Sequence, residues 1–257
     1  MITQHVRPEE EYYLLASASA QRRPQFLLNH AESFAIFDLA GDIPLARREA
    51  YGLFHCGTRF LSRYELRLNG QLPLLLSTTT THEGSGVVTY LSNADEIQQG
   101  KIVLLRDSVA VRRDKTLFAG TLYERIHLHN FTQEPLSLEL RFLCGADFAD
   151  IFELRGSQRT QHGEFLGADL QPDRLHFSYR GLDDVWRETV LSFSPTPSSL
   201  SSDSVNFALT LGPGEETALA ICVSCHVGHA SSRPPYTLSS ALDMILTERE
   251  AWRARFP

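Results

Sequence analysis

The order of apolar and polar residues along this chain reads mostly as strands. From Arg63 to Leu68, Tyr64, Leu66 and Leu68 alternate with Arg63, Glu65 and Arg67, the two-residue period of a strand with one wet face. Asn69-Gly70 follows. That pair tolerates the positive φ angles of a type I′ turn, so the pattern predicts a hairpin with Gln71–Ser77 as its second arm. A second predicted hairpin joins Leu122–His129 to Leu136–Leu143 through the polar loop Asn130–Pro135. Leu122, Ile126 and Leu128 share one face of its first arm, and Leu136, Leu138, Leu140 and Phe142 one face of its second. Phe177–Phe193 offers further strand material around Trp186, and the Ser- and Pro-rich stretch 194–204 reads as an exposed loop. A third hairpin is predicted between Val205–Leu211 and Thr217–Val227, across Gly212–Glu216. At the C-terminus the period changes. Leu238, Leu242, Ile245 and Trp252 recur at helical spacing behind a cap at Ser239 or Ser240, which predicts an amphipathic helix over about residues 239–255. Many strands and one terminal helix predict a mainly β protein, a large antiparallel β-sandwich with a C-terminal α-helix.

Composition narrows this picture. At 257 residues the chain suits one large β domain or two small ones. With 42% hydrophobic and 21% charged residues it can build a core without disulfides. A net charge of -7 argues against nucleic acid as a partner. Met1–Glu11 is polar and acidic, unlike a signal segment, and the most apolar short run, Leu72–Leu76, is too short to span a bilayer. The four cysteines do not look like a disulfide framework. A cytoplasmic protein without a membrane partner is the expectation.

Few motifs suggest chemistry. Asp147, Asp150 and Glu153 fall three residues apart, with Arg155 just beyond. As one helical turn, the three carboxylates would share a face. Carboxylates on a single short segment do not flank a scissile bond from two sides. A turn tied down by carboxylate–arginine hydrogen bonds is therefore the first expectation, and a ligand or domain contact the second. Cys222-Val223-Ser224-Cys225-His226 has the spacing of a haem or redox motif. In a strand, however, its two thiols point to opposite faces. His127 and His129 are two apart on the face opposite the leucine row and lack an evident third metal ligand. Trp186 and Trp252 are as well explained by core packing as by stacking on sugars. No metal or cofactor is expected.

Two segments carry a resemblance: Gly52-Leu53-Phe54-His55-Cys56-Gly57-Thr58-Arg59-Phe60-Leu61-Ser62 and Gly145-Ala146-Asp147-Phe148-Ala149-Asp150-Ile151-Phe152-Glu153-Leu154-Arg155-Gly156. With Phe34–Asp38, Gly41-Asp42-Ile43, Asn69-Gly70 and Tyr123-Glu124-Arg125, they make the chain similar to the N-terminal domain of bacterial glycogen-debranching-type (amylo-α-1,6-glucosidase-like) enzymes. The resemblance implies a supersandwich fold over 1–237. It also implies a segment 238–257 that leads toward a helical-barrel catalytic domain not included in this chain. In that family the catalytic acid and base sit on the barrel, so no residue here inherits a catalytic role. What the resemblance offers instead are candidate substrate or domain contacts: Thr58, Arg59, Asp147, Asp150, Glu153 and Arg155. Gly57 stands where the family usually has Asp. The implied function is a non-catalytic β-sandwich domain that packs on the barrel, in cis or in trans, and contributes to α-glucan binding. The alternative is a free-standing carbohydrate-binding or protein-interaction module.

Overall fold

The computed structural model describes residues 25–45, 51–81, 86–154, 156, 161–228, 240, 243–245, 247–248 and 250–251. Its first four strands, β1 (Phe26–His30), β2 (Ser33–Phe37), β3 (Gly52–His55) and β4 (Thr58–Leu61), form one sheet in chain order. After the single residue Ser62 the chain continues as β5 (Arg63–Leu68) in a different sheet. Next come β6 (Leu74–Thr81) and β7 (Gly86–Ser92), the small pair β8 (Glu96–Gln98) and β9 (Lys101–Leu104), and the long pair β10 (Val109–Phe118) and β11 (Thr121–Asn130). Then follow β12 (Leu136–Gly145), one helical turn α1 (Ile151–Leu154), and β13 (Glu164–Gln171), β14 (Arg174–Arg180) and β15 (Trp186–Ser194). β16 (Ser199–Leu200), β17 (Ser204–Leu211) and β18 (Glu216–Val227) complete the order. The protein is mainly β.

The large layer has eight strands in the order β13-β14-β15-β18-β11-β10-β7-β6. Facing it are the β1–β4 sheet and a sheet of order β16-β17-β12-β5, joined through the β4–β5 junction, where Ser62 N–H donates to Gly145 O (2.8 Å).

The strands of the three predicted hairpins form, but their pairing differs. β5 and β6, β11 and β12, and β17 and β18 each belong to different sheets. Each connection is therefore an arch between layers. Asn69 and Gly70 do take left-handed φ angles of 49° and 78°, and Leu68 still bridges Gln71. The ladder then stops at Leu72-Pro73. Proline recurs in the other arches as Pro135 and Pro213, where its missing N–H and fixed φ oppose a continued ladder. Packing explains the rest. Leu122, Ile126 and Leu128 of the large sheet and Leu138, Leu140 and Phe142 of the small one belong to a single core. Each contributes about 1.5–3 kcal/mol by leaving water. Stacking the two apolar rows face to face covers both at once.

Residues 240, 243–245, 247–248 and 250–251 are helical. Ile245 packs with Phe118 and Tyr123, next to Cys222, so this segment lies on the outer face of the large sheet. Glu248 Oε2 lies 3.0 Å from His30 Nε2. Leu238, Ser239, Leu242 and Trp252 of the predicted helix fall outside the described residues.

The core also holds charge. Arg113 and Lys115 occupy the inward row of β10 between Val111 and Leu117, and Glu124 that of β11. Arg113 Nε donates to Glu124 Oε1 (2.6 Å), and its Nη1 to Asp42 Oδ1 and to Ala40 O (2.9 Å). Lys115 Nζ donates to Glu124 Oε1. The cations lie over the rings of Tyr64, Phe142 and Phe37 at 5.6–5.9 Å. Burial pushes the Glu124 carboxyl up, but Arg113 and Lys115 outweigh it and hold the group at about 2. Burial, reinforced by Arg113, brings the Lys115 ammonium down to about 8 despite Glu124. Asp42 is raised by burial, against the pull of Arg113.

Candidate functional site

Thr58 and the distant segment that carries Asp147, Asp150 and Glu153 line one open cleft of about 590 Å³. The backbone brings them together. Cys56 and Gly57 take φ angles of 46° and 77° in the tight turn between β3 and β4. The segment after β12 then adds itself to β4. Arg59 N–H donates to Ala149 O (2.9 Å), Ile151 N–H donates to Gly57 O (2.9 Å), and Thr58 bridges Asp150. Gly57 contributes through its carbonyl and through a φ that glycine adopts without strain.

The expected helical turn over 147–153 is shorter than predicted. Phe148 has φ 50° and helix begins only at Ile151, so Asp147 does not share a helical face with Glu153. Its side chain instead pairs with Arg59. Arg59 Nε donates to Asp147 Oδ1 (3.0 Å) and Nη2 to Oδ2, while Nη1 donates to Tyr51 O (3.2 Å). Gly52 allows this, since a Cβ there would lie 2.6 Å from Arg59 Cδ. Arg59 is thus buried behind the cleft and fixes Asp147 in its wall. Asp150 Oδ1 accepts from Phe152 N–H (2.8 Å) and caps the turn. Glu153 lies 3.7 Å from His162 Nδ1. Arg155 lies outside the described residues.

The opposite wall was not singled out by the sequence. The stretch 177–193 is two strands, β14 and β15, and their connection presents Leu182 and Asp183 to the cleft. Arg187 Nη1 and Nη2 donate to the two oxygens of Asp183 at 3.0 and 2.8 Å. The Arg187 hydrogen bonds hold the Asp183 carboxyl down to about 2. Phe148 stacks on Tyr179 (centroids 5.2 Å apart, 11° between planes), and the Tyr179 hydroxyl accepts from Gly163 N–H (2.8 Å). Phe165 stands beside them with 49% of its surface exposed. The Gly181-Leu182-Asp183-Asp184 sequence is a turn signal. It could have revealed the two strands, though not that their tip meets residues 147–153.

Other sequence candidates do not converge. Cys222 borders the outer cluster with Ile245, while Cys225 is in the main core, on opposite faces as strand alternation requires. Burial raises both thiols, Cys222 to about 11. His127 faces Asp114 (3.4 Å) and His129 faces Glu216 (3.3 Å). Among the described residues, no group of three or more His, Cys, Asp or Glu is placed to hold a metal ion, and no helix is long and apolar enough to cross a membrane.

Comparison with known proteins matches residues 28–222 to a family model described as the N-terminal domain of some glycogen debranching enzymes. No curated protein matches. A solved structure from the human microbiome, provisionally described as a kojibiose phosphorylase, aligns over 88% of this chain and 33% of its own, with 12% identity and a TM-score of 0.51. The chain thus spans a third of that protein's length and shares its fold. A structure from Escherichia coli K12, provisionally described as an aldose 1-epimerase, aligns over 79% of this chain and 99% of its own, with 11% identity and a TM-score of 0.42.

Proposed function

The chain belongs to the family of N-terminal domains of glycogen debranching enzymes, and on that premise we propose that it is a non-catalytic domain that packs on a helical-barrel glycoside hydrolase domain. The cleft end is the docking face in this reading, and the C-terminal helix carries the chain toward the barrel. The observation that carries the proposal is the character of this end. Phe152 on α1 and Leu182 in the opposite wall leave 58% and 62% of their surface in water. They stand beside a polar cleft built from the two segments most typical of the family. Exposed apolar groups beside fixed polar ones occur at protein interfaces, where an apolar centre is bordered by a polar rim. The carboxylates support a structural or contact role rather than catalysis, because Asp147 is tied to Arg59 and Asp183 to Arg187.

The test is a binding titration of this chain against a helical-barrel domain of a debranching-type enzyme supplied in trans. Leu182→Asp and Phe152→Asp should each weaken the complex roughly tenfold or more, the loss of about 1.4 kcal/mol expected for an interface anchor. If Ile102→Asp on the β8–β9 pair weakens it instead, the docking face lies at that end. No complex with unmodified chain would defeat the reading.

A further inference from the structure

We infer that the outer edge of β6, together with the β8–β9 hairpin beside it, is the surface on which a second copy of this chain docks. β6 is the last strand of the large sheet, and among the described residues nothing pairs with its far side. Its backbone presents there a row of N–H and C=O groups that another strand can match. The two ends of the sheet differ in how they treat this exposure. At β13 the edge carries Glu164 and Asp169, and its ladder slips between Phe165 and Gly167. Acidic side chains and a bulge of this kind oppose edge-to-edge pairing. At β6 the ladder slips only at Leu76, which leaves Ser77–Thr81 regular. The whole stretch Gln71–Thr81 carries no charge, and both Leu76 and Thr79 are exposed.

The hairpin extends this edge into a larger apolar surface. Nine of the 19 large hydrophobic side chains exposed among the described residues fall within 72–105. That stretch begins just before β6 and ends just after β9. Ile97, Ile102 and Leu105 leave more than half of their surface in water. Asn93 ties down the base of the hairpin: its Nδ2 donates to Leu105 O (2.7 Å) and its Oδ1 accepts from Val109 N–H (2.8 Å). Leu72 and Pro73 share a small pocket with Glu96 and Leu104, so edge and hairpin form one continuous face. Contiguous exposed apolar surface of this kind marks an interaction site. Charge and symmetry select a second copy as the occupant. At a net charge of -7 two copies repel, and they approach best where neither carries charge. Antiparallel pairing of β6 with itself about a twofold axis is self-complementary and sets threonine across from threonine, a favourable cross-strand pair. It uses up both β6 edges and leaves only the blunted β13 edges, so the assembly closes at two.

Sedimentation equilibrium of the 257-residue chain tests this. The expected result is a reversible monomer–dimer equilibrium with a micromolar dissociation constant. Thr79→Lys on the edge and Ile102→Asp on the hairpin should each weaken the dimer at least tenfold, with the melting temperature of the dilute monomer unchanged. Leu170→Lys on β13 should leave the dimer intact. Amide exchange at residues 77–81 should slow as the chain is concentrated. The inference is overturned by a chain that stays monomeric at millimolar concentration, by a dimer that both Thr79→Lys and Ile102→Asp retain, or by one that Leu170→Lys disrupts. Growth beyond the dimer overturns it too. Because no barrel is present in this assay, its failure leaves the docking proposal standing. Loss of docking in the Leu182→Asp variant with the dimer intact would separate the two in the other direction.

Discussion

Two of the protein's clusters of arginine and carboxylate differ in setting, one sealed between its sheets and one open to water. In the first, Arg113, Lys115 and Glu124 are at most 2% exposed. They join the loop after β2 to β10 and β11. In the second, Asp147 and Asp183 are well exposed at the end of the sandwich while their arginines run back into it. The chemistry is the same and the consequence differs. A buried charge that loses its partner cannot recruit water, so every member of the sealed cluster constrains the others. An exposed carboxylate that loses its partner can hydrate, so the open cluster can be altered at little structural cost. The sealed cluster is part of the fold, and the open one is available for recognition.

The largest effect should come from Arg113→Met, which leaves Glu124 and Asp42 with Lys115 alone. We expect a loss of about 3–5 kcal/mol by urea denaturation. A change below about 1 kcal/mol would mean that the sealed cluster is not coupled. Arg59→Ala should cost less, about 1–2 kcal/mol, because Asp147 can hydrate although Tyr51 O loses its donor. Thermal unfolding measures this. Lys115→Met should be within about 1 kcal/mol of the parent at pH 7, since Glu124 keeps Arg113.

The pH dependence sharpens that point. Lys115 titrates near 8 folded and near 10.5 unfolded. Between those values the unfolded chain holds the extra proton, so Lys115 makes stability rise with pH across that window. The rise should vanish in Lys115→Met. Glu124 acts in the same direction at the acid end, since its folded value is also the lower one: its contribution is complete above about 4.5 and is lost as pH falls toward 2. The smallest effect belongs to Asp183→Asn, within about 0.5 kcal/mol, because the pair with Arg187 is a surface one. A larger loss would make the open cluster structural too.

Strand positions were legible in the sequence because alternation is local, and the arms around residues 64–68, 122–129, 136–143 and 205–211 are where the pattern put them. Which strand each arm pairs with was not. An apolar row reads the same whether its neighbour lies beside it or faces it across a core, and Asn69-Gly70 makes the same turn at an arch as at a hairpin. The sealed cluster left a signal that went unread. Val109, Val111, Arg113, Lys115 and Leu117 share one strand face, and charges on an apolar face imply partners on the facing elements. The first wall of the cleft was visible in the segment 147–153. The second was not, since nothing local connects Phe165, Tyr179, Asp183 and Arg187 to Thr58.

The central claim is that the open cluster marks the working face of this domain. Hydrogen exchange measured on the chain alone and with a debranching-type helical-barrel domain tests it most directly. The account predicts slowed exchange at residues 147–154 and 179–187, with β10 and β11 around Arg113 and Glu124 unchanged. Protection confined to β8 and β9, or none at saturating barrel domain, would contradict it.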